Sequence, residues 1–320
     1  MTDQTQILEA APAAPSAWQR IKDSHLWHSF TRDRVAQISL AIFVLYAVMA
    51  LFAPAIAPYD PYDPSQIDIL NSEIPPSWDE AEGDENFWLG TDAQGRDLWS
   101  TILYGTRVSL MIGLCAVALQ AVLGICIGLV AGYFGGRLDS LLMRLADVQL
   151  SFSTMMVAIV VLAVFQATFG TELYQDLAMI MLILVIGIAE WPQYARTIRA
   201  SVLAEKRKEY VDAARVIGLR APRIMFRHIL PNTLSPILVI STVQVANAII
   251  AEASLSFLGL GMPVSEPSLG SLISSGFEYI FSGSWWITVI PGVVLVALVL
   301  VMNLLGDWLR DVLNPKLYKG

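Results

Sequence analysis

The sequence predicts an all-α protein that crosses a lipid bilayer six times. Three observations carry this expectation. Of 320 residues, 55% are hydrophobic and only 15% are charged, where a soluble domain carries about 25% charged residues. The mean hydropathy is +0.58, and the apolar residues gather into six runs, each near the roughly 17–25 residues that a helix needs to span hydrocarbon. Threading those runs puts all but Arg96 and Arg107 of the 20 lysines and arginines on one side, the segregation that marks a cytoplasmic face.

The elements follow in chain order. Residues 1–15, rich in Ala, Pro and Gln, read as a disordered start. Residues 16–34 mix Trp18, Ile21, Leu26, Trp27 and Phe30 with basic side chains, which suits a helix lying at the membrane surface within a cytoplasmic tail, 1–34. The first span is predicted at 35–56, within a first transmembrane segment of 35–57. Ala53-Pro54-Ala55-Ile56-Ala57 is similar to a cleavage site, but the long polar stretch before the run argues against a signal peptide. Residues 58–106 form an acidic loop outside the cytoplasmic face. A core, 107–310, holds spans at 108–133, 149–168, 177–194, 230–258 and 286–309, and a second cytoplasmic tail covers 311–320. Both termini are expected in the cytoplasm.

Within the spans, Gly124, Gly128 and Gly132 stand four apart, which lets another helix approach closely. Cys115 and Cys126 share one span, too far apart along it to bridge. The fifth span carries Gln244, Asn247 and Ser254 on one stripe, with Glu252 off it. Polar groups at that depth either bond between helices or line a path, and both readings stay open. A phosphate-binding glycine loop is absent from the sequence, and its three histidines are scattered, so an enzyme reading is weak.

The stretch 195–228 is the most informative. It has nine basic and three acidic residues, enough to fix its side of the membrane. Its order says more. Residues 209–217 form a short helix with acids in the first turn, Gly218 stops it, and Ile229-Leu230-Pro231 reopens the next span. A short helix held in a cytoplasmic loop suits a groove on a partner protein.

The order Asp212-Ala213-Ala214, then Gly218, then Ile229-Leu230-Pro231 resembles the EAA loop of ABC importer permeases, with Asp212 where that family has Glu. Ala57-Pro58-Tyr59-Asp60-Pro61, Leu89-Gly90-Thr91-Asp92-Ala93-Gln94-Gly95-Arg96-Asp97 and 252–261 are similar to the dipeptide, oligopeptide and nickel group of such permeases. The chain looks like the C-type subunit of a peptide importer. The resemblance implies the fold of a type I ABC importer permease and a bacterial inner-membrane location. It implies a second, B-type permease, two cytoplasmic ATP-binding subunits and an external solute-binding protein as partners. The chain itself would hold no cofactor, with ATP and Mg on the ATPase subunits. Glu209, Tyr210, Asp212, Ala213, Ala214, Arg215, Gly218 and Pro231 would serve coupling, and Gln244, Asn247, Glu252 and Ser254 are candidates for the path. The same machinery importing nickel or glutathione is the alternative, and a secondary transporter or channel is a more distant one.

Overall fold

The computed structural model describes residues 25–80 and 83–313; the predicted start 1–15, the first part of the predicted surface helix 16–34 and residues 314–320 of the predicted tail 311–320 lie outside the described residues. Every regular element among the described residues is helical, apart from one isolated antiparallel bridge between Thr91 and Asp97.

Helix α1 (His25–Arg32) leads into α2 (Arg34–Leu51), which starts at Asp33, whose carboxylate accepts from the Val35 and Ala36 amides at 2.9 and 3.1 Å. Most large side chains of α2 are exposed, Val35, Ile38, Leu45 and Leu51 among them. In water that would be costly; against hydrocarbon it is neutral, since lipid is as apolar as the side chains.

The centre of the fold is α3 (Leu98–Phe134), 37 residues long and thus about 55 Å at 1.5 Å per residue. It begins ten residues before the predicted second span, because Asp97 caps it by accepting from the Ser100 amide at 2.8 Å. α3 packs against α2, α6, α7 and α9.

The predicted third span is not one helix. α4 (Gly136–Ser151) and α5 (Thr154–Phe169) meet at an 83° bend, with extended backbone at Phe152 and Ser153. Residues 149–151 thus belong to α4, and α5 has 16 residues, about 24 Å. Among the described residues, five helices are long and apolar enough to cross a membrane, and six are reached if the bent pair counts as one span.

The predicted fourth span divides as well. α6 (Thr171–Ala189) ends at Glu190, and α7 (Trp191–Glu205) begins at once with Pro192 in its first turn. α7 lies on the glycine stripe of α3. A Cβ on Gly124 would stand 2.2 Å from the Tyr194 Cβ, and one on Gly132 would stand 2.8 Å from that of Val202. On Gly128 it would stand 2.6 Å from the Ala195 carbonyl. So the stripe has a definite partner, the buried face Tyr194, Ala195, Ile198 and Val202. α8 (Glu209–Val216) follows, then three short turns, and α9 (Leu234–Phe257), one turn later than predicted. α10 (Leu269–Phe277) opens with a capping box between Ser268 and Ser271, and α11 (Trp286–Leu313) closes the described chain.

The described residues of 57–97 form a collar of capped turns rather than a slack loop. Arg96 and Asp92 pair at 2.7 Å with both side chains buried. Arg96 also donates to the Val264 carbonyl at 2.8 Å, and Trp286 donates to the Thr91 carbonyl at 3.1 Å. The collar therefore ties the start of α3 to the α9–α10 connection and to the start of α11.

Candidate coupling loop and transport path

Helix α8 has Glu209 and Asp212 near its N-terminus and Arg215 in its last turn, matched to the helix dipole. It stops at Gly218, where φ is +83°. The Gly218 amide donates to the Arg215 carbonyl at 2.9 Å, and the Leu219 amide to that of Ala214 at 3.1 Å. This paired ending needs a left-handed residue. A Cβ at Gly218 would meet nothing within 4 Å, so the backbone turn, and not space, calls for glycine.

The helix has two unlike faces. Val211 and Ala214 are buried in the bundle, while Glu209, Asp212, Ala213 and Arg215 face outward. Beside them Val216 is 88% exposed and Ile217 77% exposed. These two residues were not singled out from the sequence, although an apolar pair just ahead of a helix-stopping glycine was there to be seen.

Tyr210 joins the helix to its surroundings. Its hydroxyl donates to Glu205 Oε2 at 2.6 Å and accepts from Asn232 Nδ2 at 3.3 Å. Glu205 is the last residue of α7, and Asn232 lies in the turn Leu230–Thr233 that leads into α9. Pro231 stands exposed in that turn, at a first-turn position where a missing N–H costs nothing. Burial, then the Glu205 carboxylate, pushes the Tyr210 phenol up to about 12. Lys208 adds a 2.6 Å bond to Glu205, and Lys206 donates to the Gly132 carbonyl at 2.7 Å. The Arg215 guanidinium lies 5.6 Å from the centre of the Tyr133 ring. These contacts join α8 and the residues before it to the ends of α3 and α7 and to the approach to α9. Arg199 and Arg196, read from the sequence only as topology, hold α4 to α7 through Asp139 and Asp147.

The four residues considered for the path do not share one surface. Asn247 donates to Gln244 at 2.9 Å, Gln244 to Gln120 at 3.4 Å, and Gln120 to the Ile186 carbonyl at 3.3 Å. This amide chain runs from the interior to a groove of about 440 Å³ that Gln244, Asn247, Gln193, Thr197 and Arg310 help to line. Ser254 lines a different, mostly apolar cavity beside Phe257 and Ile273. Glu252 is wholly buried and lines neither. Its carboxyl accepts from Ser268 at 2.6 Å, Ser256 at 2.7 Å and Ser109 at 3.1 Å, joining α9, α10 and α3.

Two family descriptions match the chain. "Binding-protein-dependent transport system inner membrane component" covers residues 124–319, and "N-terminal TM domain of oligopeptide transport permease C" covers residues 16–76. The dipeptide transport system permease protein DppC of Haemophilus influenzae is 38% identical, over 91% of this chain and 94% of its own. The di/tripeptide transport system permease protein DppC of Pseudomonas aeruginosa is 38% identical over 96% and 97%. The oligopeptide transport system permease protein OppC of Bacillus subtilis is 34% identical over 96% and 97%. In fold, the chain is similar to a chain of the MetNI methionine ABC transporter in an inward-facing form. The TM-score is 0.52 at 19% identity, over 67% of this chain and 97% of that one.

Proposed function

This chain belongs to the family of binding-protein-dependent transport system inner membrane components and is an ABC importer permease, and we propose that the solute it passes is a short peptide. The observation that carries this reading is the end-to-end likeness to permeases named for dipeptide and di/tripeptide transport. In this reading the chain spans a bacterial inner membrane six times with both termini in the cytoplasm. It pairs with a second permease, receives peptide from an external binding protein, and rests on two ATP-binding subunits that hold ATP and Mg.

Helix α8 is the contact with an ATP-binding subunit. It offers an exposed apolar pair, Val216 and Ile217, ringed by charges, which suits insertion into a partner groove. The ATP-dependent motion of that subunit favours one arrangement of α8, and Tyr210 passes the bias to α7 and α9. The groove lined by Gln244 and Asn247 is this chain's share of the path.

The test is uptake by the assembled transporter in proteoliposomes. Labelled di- and tripeptides should accumulate only with ATP, the second permease and the binding protein all present. Uptake by this chain alone, or accumulation of nickel but no peptide, would overturn the reading.

A further inference from the structure

At the end of α9 far from α8 lies a cavity of about 450 Å³, within the range of roughly 300–1,000 Å³ common for small-ligand sites. Its polar lining includes Gln94, Gln166, Gln175, Ser256, Ser274 and Glu278. These come from the collar, α5, α6, α9 and α10 and from the residue just past α10. No basic side chain lines it among the described residues.

The walls are held in place. Tyr174 donates to the Leu260 carbonyl at 2.6 Å, and Arg96 to the Val264 carbonyl at 2.8 Å, so the segment that closes one side is pinned at two points. Ser256, at the floor, is fixed by its bond to the buried Glu252. By contrast, the side chains of Gln94, Gln166, Gln175 and Glu278 make no hydrogen bond within the described residues. A rigid cup thus presents three free amides and one free carboxylate. An amide offers both a donor and an acceptor, which matches a peptide unit. A lone carboxylate with no base beside it favours a cation.

We propose that this cavity receives the α-ammonium end of a peptide, with Glu278 as its counter-charge and the three glutamines bonding the first peptide units. The proposal rests on the peptide-import reading above and adds an orientation to it: the amino end enters this chain first. Glu278 is exposed and lies past the end of α10, so its replacement should leave the fold intact.

The experiment uses the complete transporter in proteoliposomes and tripeptides carrying a photoreactive leucine at either the first or the last position. Cross-links to residues 269–279 are mapped by mass spectrometry while uptake is followed in parallel. The first-position probe should label this segment and the last-position probe should not. Glu278→Gln should cut the label about five- to tenfold, the usual scale for losing one charge-assisted contact, and acetylating the peptide amine should do the same in the wild type. Equal labelling by both probes, or labelling undiminished in Glu278→Gln, would overturn the proposal. So would protection of the segment by peptide-free binding protein, since a lysine of that protein would then fill the cup. Normal peptide uptake without labelling defeats this proposal alone; no peptide uptake defeats the import reading as well.

Discussion

The collar at 57–97 and the α8 loop at 206–233 handle charge in opposite ways. In the collar, Arg96 and Asp92 are 4% and 3% exposed and their bonds reach a distant carbonyl. In the loop, Arg215 and Asp212 pair at 2.9 Å on the open surface, and within α8 itself the buried anchors are Val211 and Ala214. A buried pair is rigid because each ion pays heavily to lose the other. A surface pair can open and close at little cost. One end of the molecule is therefore held as a clamp and the other more loosely, and in the function proposed above the loose end is a lever whose motion the long helices carry toward the clamp.

The sharpest way to break that contrast is at the clamp. Arg96→Ala leaves Asp92 buried without its partner, which typically costs about 3–5 kcal/mol. The purified complex should lose thermal stability, read by light scattering or a thiol-reactive dye on heating. An unchanged melting temperature would remove the clamp. Gly128→Leu comes next. Its Cβ alone would press on the Ala195 carbonyl and on Ile198, and overpacking of this kind costs about 1–3 kcal/mol. α7 should part from α3, which a cysteine pair placed across the two helices would report as lost disulfide formation.

The glycine stripe also measures what was legible beforehand. Its meaning, close approach of a helix, could be read from four-residue spacing. Its partner could not. α7 buries only a narrow face, and its Arg196 and Arg199 drew attention to charge rather than to period. Similarly, 149–168 carries no charged residue, so the small polar residues Ser151, Ser153 and Thr154 at the bend do not break the apolar run on which the predicted span rests. Apolar length alone places the start of α3 ten residues late, because the true start is set by the Asp97 cap on Ser100. The short helix and its stop at Gly218 were legible because both depend on local backbone chemistry alone. The three serines around Glu252 stand up to 143 positions from it, and no local pattern brings them together.

Changes at the lever should be smaller in stability and larger in coupling. Gly218→Val forces a branched residue into the left-handed region, at roughly 1–2 kcal/mol. The ending of α8 should loosen, and ATP hydrolysis should proceed with reduced peptide uptake. Asn tolerates this conformation better, and no neighbour crowds the site, so Gly218→Asn should restore most of the uptake. Failure of the asparagine variant would mean that the exposed surface at 218, and not its backbone, matters. Tyr210→Phe removes one hydroxyl that bridges Glu205 and Asn232, worth about 1 kcal/mol. The transporter should still assemble, with uptake per ATP lowered because α8 now pulls less firmly on α7 and α9.

Asp212→Asn should have the smallest effect on the isolated chain. Its pair with Arg215 is open to solvent, and such pairs contribute about 0–1 kcal/mol. Arg215 keeps its place over the Tyr133 ring without that carboxylate, so the melting temperature should stay within error of the wild type. Binding of the ATP-binding subunit is a different matter. Asp212 stands outward on the same exposed surface as Val216 and Ile217, where a partner cation would find it. Unchanged stability with weakened, salt-sensitive assembly would assign Asp212 to the partner. Lost stability with normal assembly would make the lever behave like the clamp, and the contrast between the two ends would fail.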